Sequence, residues 1–277
     1  MKKVAVFGNA GGGKSTLSKR LADMTDLPWV PLDSLKYRPG GGEVPHPEFK
    51  ATHDELLKQD QWRTAPSIDT LRSIYDSSAH QWHENLDRLG QLQDYQLLFK
   101  HQMVRACLSH IGPKSQILDC GVGTGAFSLA LLESVDQPAH VSGVDISYPM
   151  LTHARQILEN RCPTLDLRQG DIRSLPFADD SFDAVIFAHV LEHMADPVET
   201  LREMVRVLKP GAPLIGSVTR KGLGQVLMSL RWHNRGYTSN QLDSFLRATG
   251  LKAVRSFDYG TGWSKWMCIA VIGINST

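Results

Sequence analysis

Two stretches of this chain run an apolar strand straight into a glycine-rich turn. Such a turn lets backbone amides close on a ligand because no Cβ obstructs them. The first is Val4–Thr16, VAVFGNAGGGKST; the second is Ile117–Phe127, ILDCGVGTGAF. In the first, Gly8 through Ser15 fit G-x-x-x-x-G-K-[ST]. Amides at Gly8, Gly11 and Gly13 would cradle phosphates, Lys14 would reach them, and Ser15 would hold magnesium. ATP or another phosphate ligand with Mg is the chemistry this predicts. In the second, Gly121, Gly123 and Ala126 also satisfy G-x-G-x-x-A, so NAD is a fair local reading.

Carboxylates follow the same geometry. Asp119 sits at the end of the strand before the second turn, and Asp145 ends the next strand. Ligands of open α/β sheets bind just beyond those carboxyl ends, where Asp145 is placed to accept both hydroxyls of a ribose. Loop carboxylates that merely cap helices are the alternative. For proton transfer the candidates are His189, His193, His233 and Tyr237. His189 follows a fourth strand, at the mouth of the expected pocket; His193, a turn further on, reads as a packing or capping residue. His233 and Tyr237 lie in RWHNRGYT, where Arg231 and Arg235 could pair with an acidic substrate group. His80 and Trp82 could close a lid, against a plainly packed helix. His189–His193 also spells H-x-x-E-H, the inverted zincin pattern, but it follows a strand inside a βα series. No metal site is expected.

The elements that must position these residues form three segments. Residues 1–62 read as a P-loop-like α/β fragment and 63–94 as a helical connector and cap. Residues 95–277 alternate strand and helix. Strands are predicted at Gln116–Asp119, Val141–Asp145, Asp166–Gln169, Ala184–Phe187, Leu214–Val218, Lys252–Tyr259 and Met267–Gly273, with helices of about ten to fifteen residues between the first five. The repetition predicts a mostly parallel sheet with helices on both faces. The last two strands have only Gly260–Trp266 between them, which predicts an antiparallel hairpin at the sheet edge.

Composition sets the outer bounds. The 277 residues carry a net charge of +1 and 42% hydrophobic content, enough for a real core and no footprint for nucleic acid. The four cysteines, Cys107, Cys120, Cys162 and Cys268, form no CxxC and suit reduced thiols. The glycines and Lys14 interrupt the N-terminus too early for a signal peptide, and no long apolar run reads as a membrane span. A cytoplasmic protein acting on a small molecule is the expectation.

The downstream motifs narrow the choice of cofactor. LDCGVGTG, GVDIS, GDIRSLPFADDSFD, HVLEHM and REMVRVLKPGA occur in that order from Leu118 to Ala212. Over roughly residues 72–277 the chain resembles the class I S-adenosylmethionine-dependent methyltransferases, of the ubiquinone and menaquinone biosynthesis kind. The resemblance implies a Rossmann-like seven-stranded sheet, S-adenosylmethionine as cofactor and S-adenosylhomocysteine as product. It implies that Asp119, Gly121, Val122, Gly123 and Gly125 surround the methionine portion. Asp145 would hold the ribose, Ile146 would pack on the adenine, Asp171 would accept from its amino group with Ile172 alongside, and Tyr75 would cap the methionine end. His189 stands at the same mouth. The opening resembles small adenylate-kinase-like P-loop proteins, Asp33 included, but only to about Trp62. A fragment that short needs a second domain or a partner subunit, such as the other copy of a homodimer, to complete its core. The competing readings are a P-loop nucleotide-binding or phosphotransfer protein and a non-catalytic cofactor-binding scaffold.

Overall fold

The computed structural model describes residues 67–88, 91–135, 139–222, 235–259 and 264–276, without the side chains of 80–88. Gly8, Gly11, Gly13, Lys14, Ser15, Arg231 and His233, and the side chains of His80 and Trp82, lie outside the described residues. The described residues all fall in one compact unit, Pro66–Val226 with Asn234–Thr277.

Two helices lead in: α1 (Ile68–Arg88) and α2 (Gln91–Lys100), followed by the short α3 (Gln102–Cys107). The alternation then begins with β1 (Gln116–Cys120), α4 (Ala126–Leu132), β2 (His140–Asp145), α5 (Tyr148–Leu158), β3 (Leu165–Gln169) and β4 (Ala184–Ala188). A single 3-10 turn, Leu191–His193, precedes α6 (Pro197–Arg206) and β5 (Pro213–Thr219). The chain closes with α7 (Ser239–Ala248), β6 (Lys252–Asp258), the one-turn α8 (Ser264–Met267) and β7 (Cys268–Ile274).

The seven strands form one sheet in the order β3-β2-β1-β4-β5-β7-β6. β3, β2, β1, β4 and β5 pair in parallel, while β7 runs antiparallel to both β5 and β6. The expected C-terminal hairpin is therefore present, with its second strand inserted between β5 and the edge strand. Parallel strands covered on both faces need apolar residues at consecutive positions. Val185, Ile186 and Phe187 of β4 and Leu214 and Ile215 of β5 accordingly have no exposed surface. Each such side chain, once buried, stabilises the fold by roughly 1.5–3 kcal/mol.

Local signals set the helix starts. The Ser147 hydroxyl accepts from Met150 N, with Pro149 in the first turn of α5. Asp196 accepts from Val198 N and Glu199 N at the start of α6, and Thr238 with Gln241 forms a capping box for α7. The expectation of a helix in every connection fails once: among the described residues, 170–183 between β3 and β4 holds no helix. Gly170, Pro176 and the Asp179-Asp180-Ser181 turn interrupt any helical period there. α4 is also only 7 residues long, shorter than predicted.

The strand order reverses at β1. Its neighbours are β2 on one side and β4 on the other, so the chain crosses over the sheet between β3 and β4. A crevice opens at such a switch point, beyond the carboxyl ends of the strands. The glycine turn, Asp145 and His189 all leave the sheet there.

Candidate functional site

The turn after β1 is built from three left-handed glycines: Gly121, Gly123 and Gly125 have φ of 78°, 53° and 86°. The amides of Gly121 and Val122 both donate to Val144 O of β2, at 2.8 and 3.1 Å. A Cβ on Gly121 would lie 2.2 Å from Val190 Cγ1, so this glycine lets the loop after β4 close against the turn. At Gly123 a Cβ would meet nothing nearer than Gly121 O, at 4.0 Å. That position is a cradle lined by backbone and open to a ligand.

Asp145 ties the turn to the next element. Its Oδ2 accepts from Gly123 N and its Oδ1 from Ser147 N, both at 2.9 Å. Burial pushes its pKa up, to about 6, against those amide bonds. Each oxygen has spent one acceptor site on backbone and keeps capacity for a further donor. Asp119 differs. It is fully buried, its Oδ2 accepts from Ser128 Oγ at 2.6 Å, and its Oδ1 has no hydrogen-bond partner among the described residues. Burial raises its pKa to about 7. The residue lies beneath the turn, against α4, with one orphaned acceptor.

Asp171 stands in the loop after β3 and is clasped by its own neighbour. Arg173 Nη2 lies 2.6 Å from Oδ2, and Arg173 N and Nε also donate to the carboxylate. Burial works against ionisation, but the bonds and charge of Arg173 outweigh it and hold Asp171 below the usual carboxylate range. Ile146 is half-buried, and its carbonyl accepts from Arg72 Nε of α1 and Gln169 Nε2 of β3. Ile172 belongs to the main apolar core.

α1 lies over this end of the sheet. Besides Arg72 it contributes Tyr75, whose Oη is 2.7 Å from His193 Nε2, the two rings meeting edge to face. Burial first, then the charges of Glu192 and Asp145, pushes the Tyr75 phenol upward.

A polar cluster fills the space beyond β4. His189 has a left-handed φ of 56°, a strained geometry for a non-glycine residue. Its Nδ1 is 3.0 Å from Glu192 Oε1 and 3.1 Å from Thr219 Oγ1, and its Nε2 is 3.1 Å from Gln91 Nε2. Thr219 N donates to the same Glu192 oxygen. Burial disfavours the imidazolium, but the Cys268 sulfur and the Glu192 carboxylate push the ring's pKa up to about 10. Glu192 is fully buried; its burial opposes ionisation, yet bonds to His189 and Thr219 keep it below the ordinary range.

The sequence-derived candidates thus divide. Gly121, Val122, Gly123, Gly125, Asp145, Tyr75 and His189 come together around the carboxyl ends of β1, β2 and β4. Tyr237 is buried, and its hydroxyl donates to Leu191 O, so it braces the 3-10 turn. The two histidines of H-x-x-E-H diverge to Glu192 and Tyr75. Among the described residues no group of three or more metal-ligating side chains converges. Sequence reading missed Gln91, Glu192, Thr219, Cys268, Arg72 and Arg173. Of these only Glu192 carried a signal, inside HVLEHM.

The residues present suit an adenosyl ligand with a methionine tail: a glycine cradle open at Gly123, spare acceptor capacity on Asp145 and an orphaned oxygen on Asp119. Comparison with known proteins agrees. A family model described as a methyltransferase domain matches residues 118–216. The chain is 37% identical over 153 residues to a demethylmenaquinone methyltransferase of Lactiplantibacillus plantarum, covering 54% of this chain and 57% of that protein. It is 35% identical over 162 residues to an uncharacterized 37.1 kDa protein in transposon TN4556 of Streptomyces fradiae, covering 58% of this chain and 45% of that protein. It thus spans about half the length of these curated relatives. Among solved structures, a SAM-dependent methyltransferase of Thermotoga maritima superposes with a TM-score of 0.53 at 20% identity, over 74% of this chain and 99% of that one. A phosphoethanolamine N-methyltransferase of Haemonchus contortus gives 0.54 at 14% identity, over 75% of this chain and 60% of that one.

Proposed function

We propose that this chain, which has the class I S-adenosylmethionine-dependent methyltransferase fold and is related to the demethylmenaquinone methyltransferases, transfers a methyl group to a small-molecule nucleophile. The observation that carries the reading is Asp145, which links the glycine turn to α5 while keeping acceptor capacity for two ribose hydroxyls. Gly121, Val122, Gly123 and Gly125 would hold the methionine portion over Asp119, with Tyr75 closing that end. Ile146 would lie on the adenine, and Asp171 would take its amino group, with Ile172 behind.

When bound, S-adenosylmethionine supplies an electrophilic methyl on a sulfonium. The protein's own task is to align the acceptor with that methyl and keep water out. Tyr75 and α1 supply cover, and the polar cluster around His189 faces the acceptor side. Tyr237 acts as a brace; His233 stays a candidate for the acceptor wall from its place in RWHNRGYT. Isothermal titration with S-adenosylhomocysteine tests the reading: the folded chain binds it, and Asp145→Ala loses about tenfold or more in affinity. A folded chain with no heat of binding would overturn it.

The motif GNAGGGKS favours a second, separate reading: an anion site at Gly8, Gly11, Gly13, Lys14 and Ser15, taking ATP or another phosphate with Mg. Nucleotide binding lost in Lys14→Ala is its test. A homodimer would complete the core of that N-terminal fragment, and sedimentation reads it out. A cytoplasmic placement rests on four free cysteines. No described helix is long and apolar enough to cross a membrane.

A further inference from the structure

The cluster around His189 is assembled from four elements that sequence holds far apart. Gln91 and Tyr95 come from α2, Glu192 from the 3-10 turn, Thr219 from the end of β5 and Cys268 from the start of β7. The residue after His189, Val190, packs on Gly121, which brings the backbone of this turn to the glycine turn. Its side chain is the cluster's outlet: it keeps 19% of its surface exposed while that of Glu192 keeps 0%.

The titratable groups facing the ring are Glu192, Cys268 and Tyr95; His193, on the same turn, is bonded to Tyr75. Glu192 is the one carboxylate among them. Its Oε2 is buried without a hydrogen-bond partner; Thr219 N donates to Oε1, the His189 ring lies beside it, and His193 on the same turn also favours its ionised form. A buried carboxylate with so few donors stays ionised only with a positive charge beside it, and otherwise takes up a proton.

The amide of Gln91 can serve either state of the ring. Its outer atom lies 2.7 Å from Tyr95 Oη and 3.1 Å from His189 Nε2. An NH2 there suits a neutral ring that accepts at Nε2. With both ring nitrogens protonated the amide turns over, and its oxygen accepts from Tyr95 Oη–H and His189 Nε2–H together. That oxygen then marks the spot where an acceptor's oxygen would sit.

We propose that His189 is a charged hydrogen-bond donor for the methyl acceptor and not a base, so that the acceptor enters already ionised, as a carboxylate or phenolate-type oxyanion. The inference rests on the methyltransferase reading and gives its substrate a class. One lone pair of the oxyanion takes the ring N–H in place of Gln91. Another forms the new bond to the methyl carbon as the carbon–sulfur bond breaks toward sulfur. No proton leaves the acceptor in that step, so no base is needed. The Glu192 carboxylate, 3.0 Å from Nδ1, favours the charged ring.

The test is NMR of the full chain labelled at histidine, with and without S-adenosylhomocysteine, titrated with formate, benzoate and benzamide. The His189 ring should show imidazolium shifts at about pH 7.5, and Glu192→Gln should move its titration down toward the ordinary histidine range. Formate or benzoate should shift the ring and bind; uncharged benzamide should bind about tenfold more weakly or not at all. His189→Gln should lose that preference while keeping S-adenosylhomocysteine affinity within about threefold. A neutral ring at that pH, equal binding of benzoate and benzamide, or an unchanged preference in His189→Gln would overturn the proposal. Failure of the wild type to bind S-adenosylhomocysteine would strike the underlying reading instead, since the ring's charge is read in the free protein as well.

Discussion

The hydroxyl of Tyr75 stands 2.7 Å from Nε2 of His193, joining α1 to the turn after β4 across 118 positions of chain. A hydrogen bond of this kind contributes about 1 kcal/mol net. Tyr75→Phe keeps the ring and its edge-on packing but loses that tie. We expect the melting temperature to fall by roughly 2–4 °C and S-adenosylhomocysteine affinity by about fivefold. Calorimetry reads both; unchanged affinity would show that α1 does not cover the ligand.

Asp119 and Asp145 set a pH dependence. Both are raised by burial, to about 7 and about 6. The folded state therefore binds these protons more tightly than the unfolded state does. The stability these two groups contribute to the ligand-free protein should be fully present below about pH 4 and should be lost as pH rises to about 8, where both are ionised. Asp119→Asn should stabilise the ligand-free protein at about pH 8 and do little at about pH 4. Ligand binding should run the other way, weakening below about pH 6 as Asp145 takes up a proton and loses acceptor sites. Thermal melts across pH decide the first claim, and titrations of S-adenosylhomocysteine at about pH 5 and 7.5 decide the second.

Two glycines should separate stability from binding. At Gly125 a Cβ would sit 3.0 Å from Leu158 Cδ1 and 3.3 Å from the backbone of Ala154. Gly125→Ala should cost roughly 2–3 kcal/mol through strain and crowding together. Gly123→Ala meets no wall, so only its positive φ opposes it, at about 1 kcal/mol. Its methyl projects into the cradle, however, and should weaken S-adenosylhomocysteine binding more than about tenfold. Equal binding by wild type and Gly123→Ala would take the ligand away from this turn.

Arg173 competes for Asp171. The pair is half exposed, with side-chain accessibilities of 48% and 30%, so its net contribution to stability is under about 1 kcal/mol. Arg173→Ala should leave the melting temperature nearly unchanged. It should strengthen binding of S-adenosylhomocysteine about twofold to fivefold, and widen its preference over the inosine analogue, which lacks the amino group. A weaker adenine preference in the variant would remove Asp171 from the adenine edge.

Much of the frame was legible because parallel strands announce themselves as short apolar runs. Ala184–Phe187 and Leu214–Val218 are such runs, and β4 and β5 lie within one residue of those bounds. The glycine turn was legible because glycine adopts its left-handed backbone at least cost. The missing helix between β3 and β4 was not, because alternation was extended through Gly170–Asp183 against its own turn residues. The cluster around His189 lay beyond reach for another reason. Its partners stand 98 positions away at Gln91, 30 at Thr219 and 79 at Cys268, and only the strand order brings them together. Glu192 stands in HVLEHM, but H-x-x-E-H points to the histidines as metal ligands or bases, and nothing in the motif alone shows that the carboxylate is buried against His189.

The position of β7 has an effect on the order of assembly. It is the last of the seven strands to leave the ribosome, yet it is hydrogen-bonded on both edges, to β5 and to β6. Until it arrives, β5 presents a bare apolar edge and β6 has no neighbour at all. The nascent domain must therefore wait, with β6 unjoined to the five parallel strands, for the residues that also deliver Cys268 to His189.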